Sequence, residues 1–172
     1  QLAKEGKFAE AIAEQKKALE IKPDYREALN NRGGVYRKMG LHERAARDYS
    51  KLLDLEPDFE HALGNKLYSN MQGCDWSQYD ESQERLVRAV RDGKQAAFPF
   101  AFVVMCGAAA EQLRCARTYI EGVCSLVPNL PWTGRRQRHE RIRIAYLSSD
   151  FHRHATAYLM AELFERHDKA RF

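Results

Sequence analysis

The sequence predicts a mainly α chain: a solenoid of helical hairpins, followed by the opening strand, loop and helix of an α/β domain. Three observations predict it. Equivalent residues recur 34 apart: Gly6 with Gly40, Ala11 with Ala45, Pro23 with Pro57, Asp24 with Asp58. Apolar residues keep a helical spacing as far as residue 123. A short apolar run at 141–147 (RIRIAYL) then gives way to a polar stretch at 148–156 (SSDFHRHAT) and a helix-like pattern at 157–166.

A 34-residue helix–turn–helix period is the signature of the tetratricopeptide (TPR) repeat. The first, partial unit supplies a helix over 8–21. The complete unit spans 26–59, and each marked residue in it has a mechanical reason. Gly33 admits close approach of the second helix, and Tyr36 fills the space between the two. Gly40 ends the first helix where positive φ costs little. Ala45 is small because the helices cross there, and Pro57 stops the second helix. A third, degenerate unit has helices at about 61–71 and 77–92, separated by Cys74, Asp75 and Trp76. Its second helix carries Tyr79, Gln83, Leu86, Val87 and Val90 on one face, and Gly93 is the expected cap. The resulting division is 1–93 repeats, 94–140 a helical linker with a basic connector, and 141–172 the start of the α/β lobe.

Asn31 and Asn65 are 34 apart and hold the same slot on the first helix of successive units. An amide side chain both donates and accepts, so such a ladder suits an extended peptide backbone of any sequence. The same spacing also suits two polar residues that merely face solvent.

The linker reads as two helices, the second over 108–123. The apolar run at 96–110 (AAFPFAFVVMCGAAA) is too short to span a membrane and is expected as a buried helix. Pro128 and Pro131 stop any helix beyond the linker. The stretch 135–143 holds five arginines and a histidine, yet no aromatic residues are interleaved with them, so it reads as a solvated connector. A net charge of +4 is too mild to indicate a nucleic-acid partner, and no membrane partner is expected. Cys74, Cys106, Cys115 and Cys124 form no C-x-x-C pair. They are expected as small core residues in a reducing, cytoplasmic setting, with no metal. Residue 1 falls inside a helical pattern and only six residues come after 166, so the sequence reads as part of a longer chain.

In open α/β sheets ligands bind beyond the carboxyl ends of the strands. Here that position belongs to Ser148, Ser149, Asp150, His152, His154 and Thr156. A helix beginning near Thr156 offers free N–H groups to an anion such as a phosphate. A histidine on this loop suits proton transfer or hydrogen bonding near neutral pH. His154 stands closer to the helix start than His152.

Taken in order, the repeats, the segment C-D-W-x-x-Y-D-E (74–81) and the segment Y-x-S-x-D-F-x-x-H-x-T (146–156) resemble the TPR-containing O-linked N-acetylglucosaminyltransferases, the O-GlcNAc transferases, in their bacterial form. The resemblance covers nearly the whole chain. It implies two Rossmann-like lobes, of which residues 141–172 would begin the first. It implies an inverting, metal-independent transfer of N-acetylglucosamine from UDP-GlcNAc to Ser or Thr of acceptor proteins, with no cofactor. His154 matches the family's histidine beside the donor–acceptor site, as base or as positioning group. Thr156 matches the threonine of the same motif and is implied, with His154, in donor binding. Asn31 and Asn65 match the asparagines that hold the acceptor peptide. The sequence departs from the family at Ala155, where proline is common, and at His152 and Arg153, where small residues are. Most donor-binding residues belong to a second lobe, so these 172 residues alone are expected to be inactive. A TPR interaction scaffold with a degenerate α/β remnant, and a GDP-fucose-dependent relative, are the alternatives.

Overall fold

The computed structural model describes residues 7–124 and 143–171. Its described residues form eight helices: α1 (Phe8–Ile21), α2 (Arg26–Lys38), α3 (His42–Leu55), α4 (Ala62–Gln72), α5 (Tyr79–Arg91), α6 (Pro99–Val103), α7 (Ala109–Cys124) and α8 (Ala155–Glu165). The chain divides into two compact units, Gln1–Pro128 and Asn129–Phe172.

In the first unit, consecutive helices pack as antiparallel hairpin partners: α2 lies against α1 and α3, and α4 against α3 and α5. Leu29, Tyr36, Ala45, Tyr49, Leu52, Leu67, Leu86 and Val90 form one continuous core. Ala45 is wholly buried, as a crossing point demands. A Cβ placed on Gly33 would lie 3.0 Å from Tyr49 Cζ, so the missing side chain is what lets the ring of α3 seat on α2. Gly40 has φ +73° and Gly93 φ +76°, the left-handed caps that end α2 and α5.

The third hairpin begins differently from the two before it. His61, expected inside the helix, sits just ahead of α4 with φ 61°. Its N–H donates to Gln95 O at 2.7 Å, and Gly64 N–H donates to Ala96 O at 2.9 Å. Two of the first-turn donors that any helix leaves open are thus met by the backbone after α5. The approach is so close that a Cβ on Gly64 would fall 2.5 Å from Ala97 Cβ. Ala96, Ala97, Phe102, Met105, Cys106 and Cys115 accordingly join the core of the repeats.

That crossing corrects the reading of 96–110 as a buried helix. Within 96–108 only Pro99–Val103 is helical, with Phe98 extended ahead of the proline, as X-Pro geometry requires. Phe102 and Met105 are buried, but Phe100, Val103 and Val104 are exposed. The cysteine reading also needs one correction. Cys106 and Cys115 are buried core residues and the side chain of Cys124 lies outside the described residues, whereas Cys74 is exposed with φ 57°. Cys74 sits in the turn between α4 and α5, where the Asp75 N–H donates to Asn70 O at 2.9 Å. Asp75 in turn accepts from the Ser77 N–H (3.1 Å) and hydroxyl (2.6 Å), which holds its carboxyl below the usual range. The C-D-W segment is therefore built as a turn, with Trp76 half exposed and 5.4 Å from the ring of Tyr79.

In the second unit, Tyr146 and Phe151 both pack edge-on to Phe164 of α8, and the Tyr146 hydroxyl lies 2.8 Å from His167 Nε2. The expected strand is not formed in its described part. Residues 143–147 are neither helical nor ladder-paired, and their side chains are exposed. A strand needs a neighbour to take its N–H and C=O groups, and none of the described residues supplies one. The first two residues of that expected strand, the proline break and nearly all of the basic connector lie outside the described residues.

Candidate functional site: a polar cleft on the helical hairpins

α1, α2 and α4 line one open cleft of about 620 Å³. Its lining is mostly amide and charge. Gln15, Asn30, Asn31 and Asn65 bring four amide side chains, Glu14 and Glu60 two carboxylates, and Arg37 and Lys38 two cations. The opposed charges are equal in number, so the cleft selects for neither a strongly acidic nor a strongly basic partner.

Asn31 and Asn65 both line this cleft, one on α2 and the other on α4, yet their settings differ. Asn31 is exposed, and its side chain makes no hydrogen bond among the described residues. Asn65 is 8% exposed, and its Oδ1 accepts from Arg37 Nη1. Arg37 also lies over the ring of Tyr68, 5.7 Å from its centroid. These contacts join the first helices of two successive hairpins across the cleft.

One end of the cleft is aromatic, a feature sequence reading missed. The rings of His61 and Phe98 stack at 3.9 Å with 6° between planes, and both line the cleft. Tyr119 meets each of them edge-on. His61 Nε2 is buried and has no hydrogen-bond partner among the described residues. Burial penalises the imidazolium and pulls its pKa below the ordinary value, although Glu60 opposes the shift. Only the contact of Phe98 with a residue 37 positions earlier reveals this arrangement, and no local pattern carries it.

His154 is the N-cap of α8, with extended φ and ψ of −140° and 153°. Its Nδ1 accepts from the Thr156 N–H at 3.2 Å and lies 3.1 Å from Thr156 Oγ1. A ring nitrogen that accepts a backbone N–H is the unprotonated one, so the neutral ring carries its proton on Nε2. His152 lies 5.8 Å away, ring to ring, and both histidines are exposed. Thr156 is half-buried. The structure thus pairs His154 with Thr156 in the second unit, and gathers Asn31 and Asn65 in the first. Among the described residues no group of three His, Cys, Asp or Glu side chains is placed to hold a metal ion. No helix among them is long and apolar enough to cross a membrane.

The hairpin geometry agrees with comparison against known families. A TPR repeat family matches residues 1–40, and the tetratricopeptide repeat matches residues 27–59. Residues 1–59 are thus similar in sequence to tetratricopeptide repeats. The TPR cleft therefore rests mainly on matched sequence, with α4 extending it by a third hairpin beyond the match. Both matches stop before Cys74 and His154, so they bear on the TPR units and not on the glycosyltransferase resemblance. No curated protein matches the chain.

Proposed function

We propose that the cleft on α1, α2 and α4 holds an extended segment of a partner protein by its backbone, making these repeats a protein-interaction module. The observation behind this reading is the convergence of Asn31 and Asn65, one repeat apart, on a single open cleft rich in amides. Peptide N–H and C=O groups recur along any extended chain, and amide side chains pair with both. The charge balance of the cleft fits recognition that tolerates many sequences. The test is a titration of the 172-residue chain with a fluorescent peptide, selected from a random library for binding to it. Changing Asn31 and Asn65 together to Ala is expected to weaken binding about tenfold or more, two hydrogen bonds being worth roughly 1–3 kcal/mol. Unchanged affinity would overturn the reading.

A second reading is favoured by the segments 74–81 and 146–156 together. In it the bound segment is an acceptor, and the chain belongs to a protein O-glycosyltransferase that uses UDP-GlcNAc or, in a relative of the same architecture, GDP-fucose. His154 and Thr156 then stand at the donor site. With its Nδ1 accepting from the head of α8, His154 would offer Nε2–H as a donor, which supports a positioning role over that of a base. The 172 residues are not expected to turn over without a second lobe, so the test is transfer of radiolabelled sugar by the isolated chain. Turnover would refute the need for that lobe. Transfer by a longer parent that survives His154→Ala undiminished would remove His154 from the site.

A further inference from the structure

We infer that Arg37 is a positioning residue that makes Asn65 a hydrogen-bond donor only, so that the two cleft asparagines read different groups of a bound backbone. This inference rests on the peptide-binding function proposed for the cleft. It begins with the geometry of one amide. A guanidinium carries donors and no acceptor, so the amide atom that faces Arg37 must be the oxygen of Asn65. The side chain cannot flip without setting its own NH₂ against the cation. Arg37 is itself held from behind by Tyr68 and lies on the preceding hairpin. Asn65 is 8% exposed, so little solvent is available to replace that partner. The oxygen is therefore committed. Nδ2 donates to no described residue, and the side chain lines the cleft.

Asn31 has no such lock. Exposed and unpartnered among the described residues, it is free to donate and to accept. A backbone lying along the cleft therefore meets a two-way amide on α2 and a one-way donor on α4. Asn65 requires a carbonyl oxygen at its register position and gives nothing to an N–H. The third unit does not repeat the lock: its position equivalent to Arg37 is Met71, which has no donor.

The decisive variant is Asn65→Asp in the 172-residue chain, titrated with the library-selected fluorescent peptide. The carboxylate still accepts from Arg37, and more strongly, so the fold and the bridge persist. The donor is gone. Binding is expected to fall several-fold, as far as in Asn65→Ala. If Asn65→Asp binds like the parent while Asn65→Ala is weakened, Asn65 acts as an acceptor and the inference is overturned, although the peptide-binding reading survives. If Asn31→Ala and Asn65→Ala both bind like the parent, the peptide-binding reading fails with it. A cycle on Arg37 settles the case even where the Asp variant does not fold. Arg37→Ala is expected to weaken binding several-fold in the parent and not at all in the Asn65→Ala background. Equal losses in both backgrounds would mean that Arg37 touches the peptide directly or only supports the fold, and would overturn the positioning role.

Discussion

Two glycines of the complete repeat do different jobs, and each predicts its own response to substitution. Gly33 has no room: a Cβ there already presses on the Tyr49 ring at 3.0 Å. Gly33→Val is expected to cost about 1–3 kcal/mol by overpacking. Gly40 has ample room but φ +73°, so Gly40→Ala is expected to cost about 1–2 kcal/mol by backbone strain alone. Urea unfolding monitored by circular dichroism separates the two, because a second substitution, Tyr49→Leu, should relieve the first cost and leave the second. His61 gives a pH signature. Its pKa is pulled down by burial, so the unfolded chain takes up a proton at this site before the folded one does. The resulting stability is present above the unfolded value of about 6.5 and is lost as pH falls through the folded one. The melting temperature should therefore fall more steeply below about pH 6.5 in the parent than in His61→Asn, which tolerates the same positive φ. Equal slopes would sink this account. At the alkaline end, burial pushes the Tyr49 phenol up to about 12, so its share of stability is present below the ordinary tyrosine range and lost as pH rises towards that value.

Between elements, the most demanding contact is the pairing of α2 with α3. Arg32 donates to both carboxylate oxygens of Asp48, at 2.8 and 2.7 Å, and Asp48 is 6% exposed. The fork holds the two helices in register, and Asp48 heads the causes that raise the pKa of Arg32. Arg32→Ala strands a buried carboxylate and is expected to cost about 2–3 kcal/mol in a thermal or urea melt. Replacing both partners with apolar residues should cost less than the single change. At this scale much was legible in the sequence. The 34-residue spacing and the glycine and proline stops placed α1, α2 and α3 to within a residue or two, because each boundary is set by a residue within one turn of it. Two features were not legible, for a physical reason. The crossing of residues 95–97 over the start of α4 is made of backbone N–H and C=O groups, which every residue carries. Its one trace is the small pair Ala96–Ala97 facing Gly64. The Arg37–Asn65 bridge joins residues 28 apart on different hairpins, and neither residue type announces the other. The unformed strand at 143–147 fails from the opposite side: its apolar pattern is present, but pairing depends on a neighbour the pattern does not contain.

In the whole molecule, the cleft and the histidine loop belong to separate compact units. Every residue lining the cleft falls between Ala11 and Phe98, whereas His154 caps a helix of the unit Asn129–Phe172. The peptide recognition proposed for the cleft and any chemistry at His154 are therefore open to separate tests by substitution. His154→Ala removes the acceptor that caps α8, at a cost of about 1 kcal/mol to that helix. It leaves the amides of α2 and α4 as they were. The affinity of the chain for its library-selected peptide is thus expected to stay within about twofold of the parent in His154→Ala, a change of less than 0.5 kcal/mol or so. The double change at Asn31 and Asn65 should instead weaken binding about tenfold while leaving the α8 cap intact. Fluorescence anisotropy read on both variants in the same buffer checks the two halves at once. Should His154→Ala also release the peptide, the bound segment must depend on the second unit, and the repeats would no longer account for recognition by themselves.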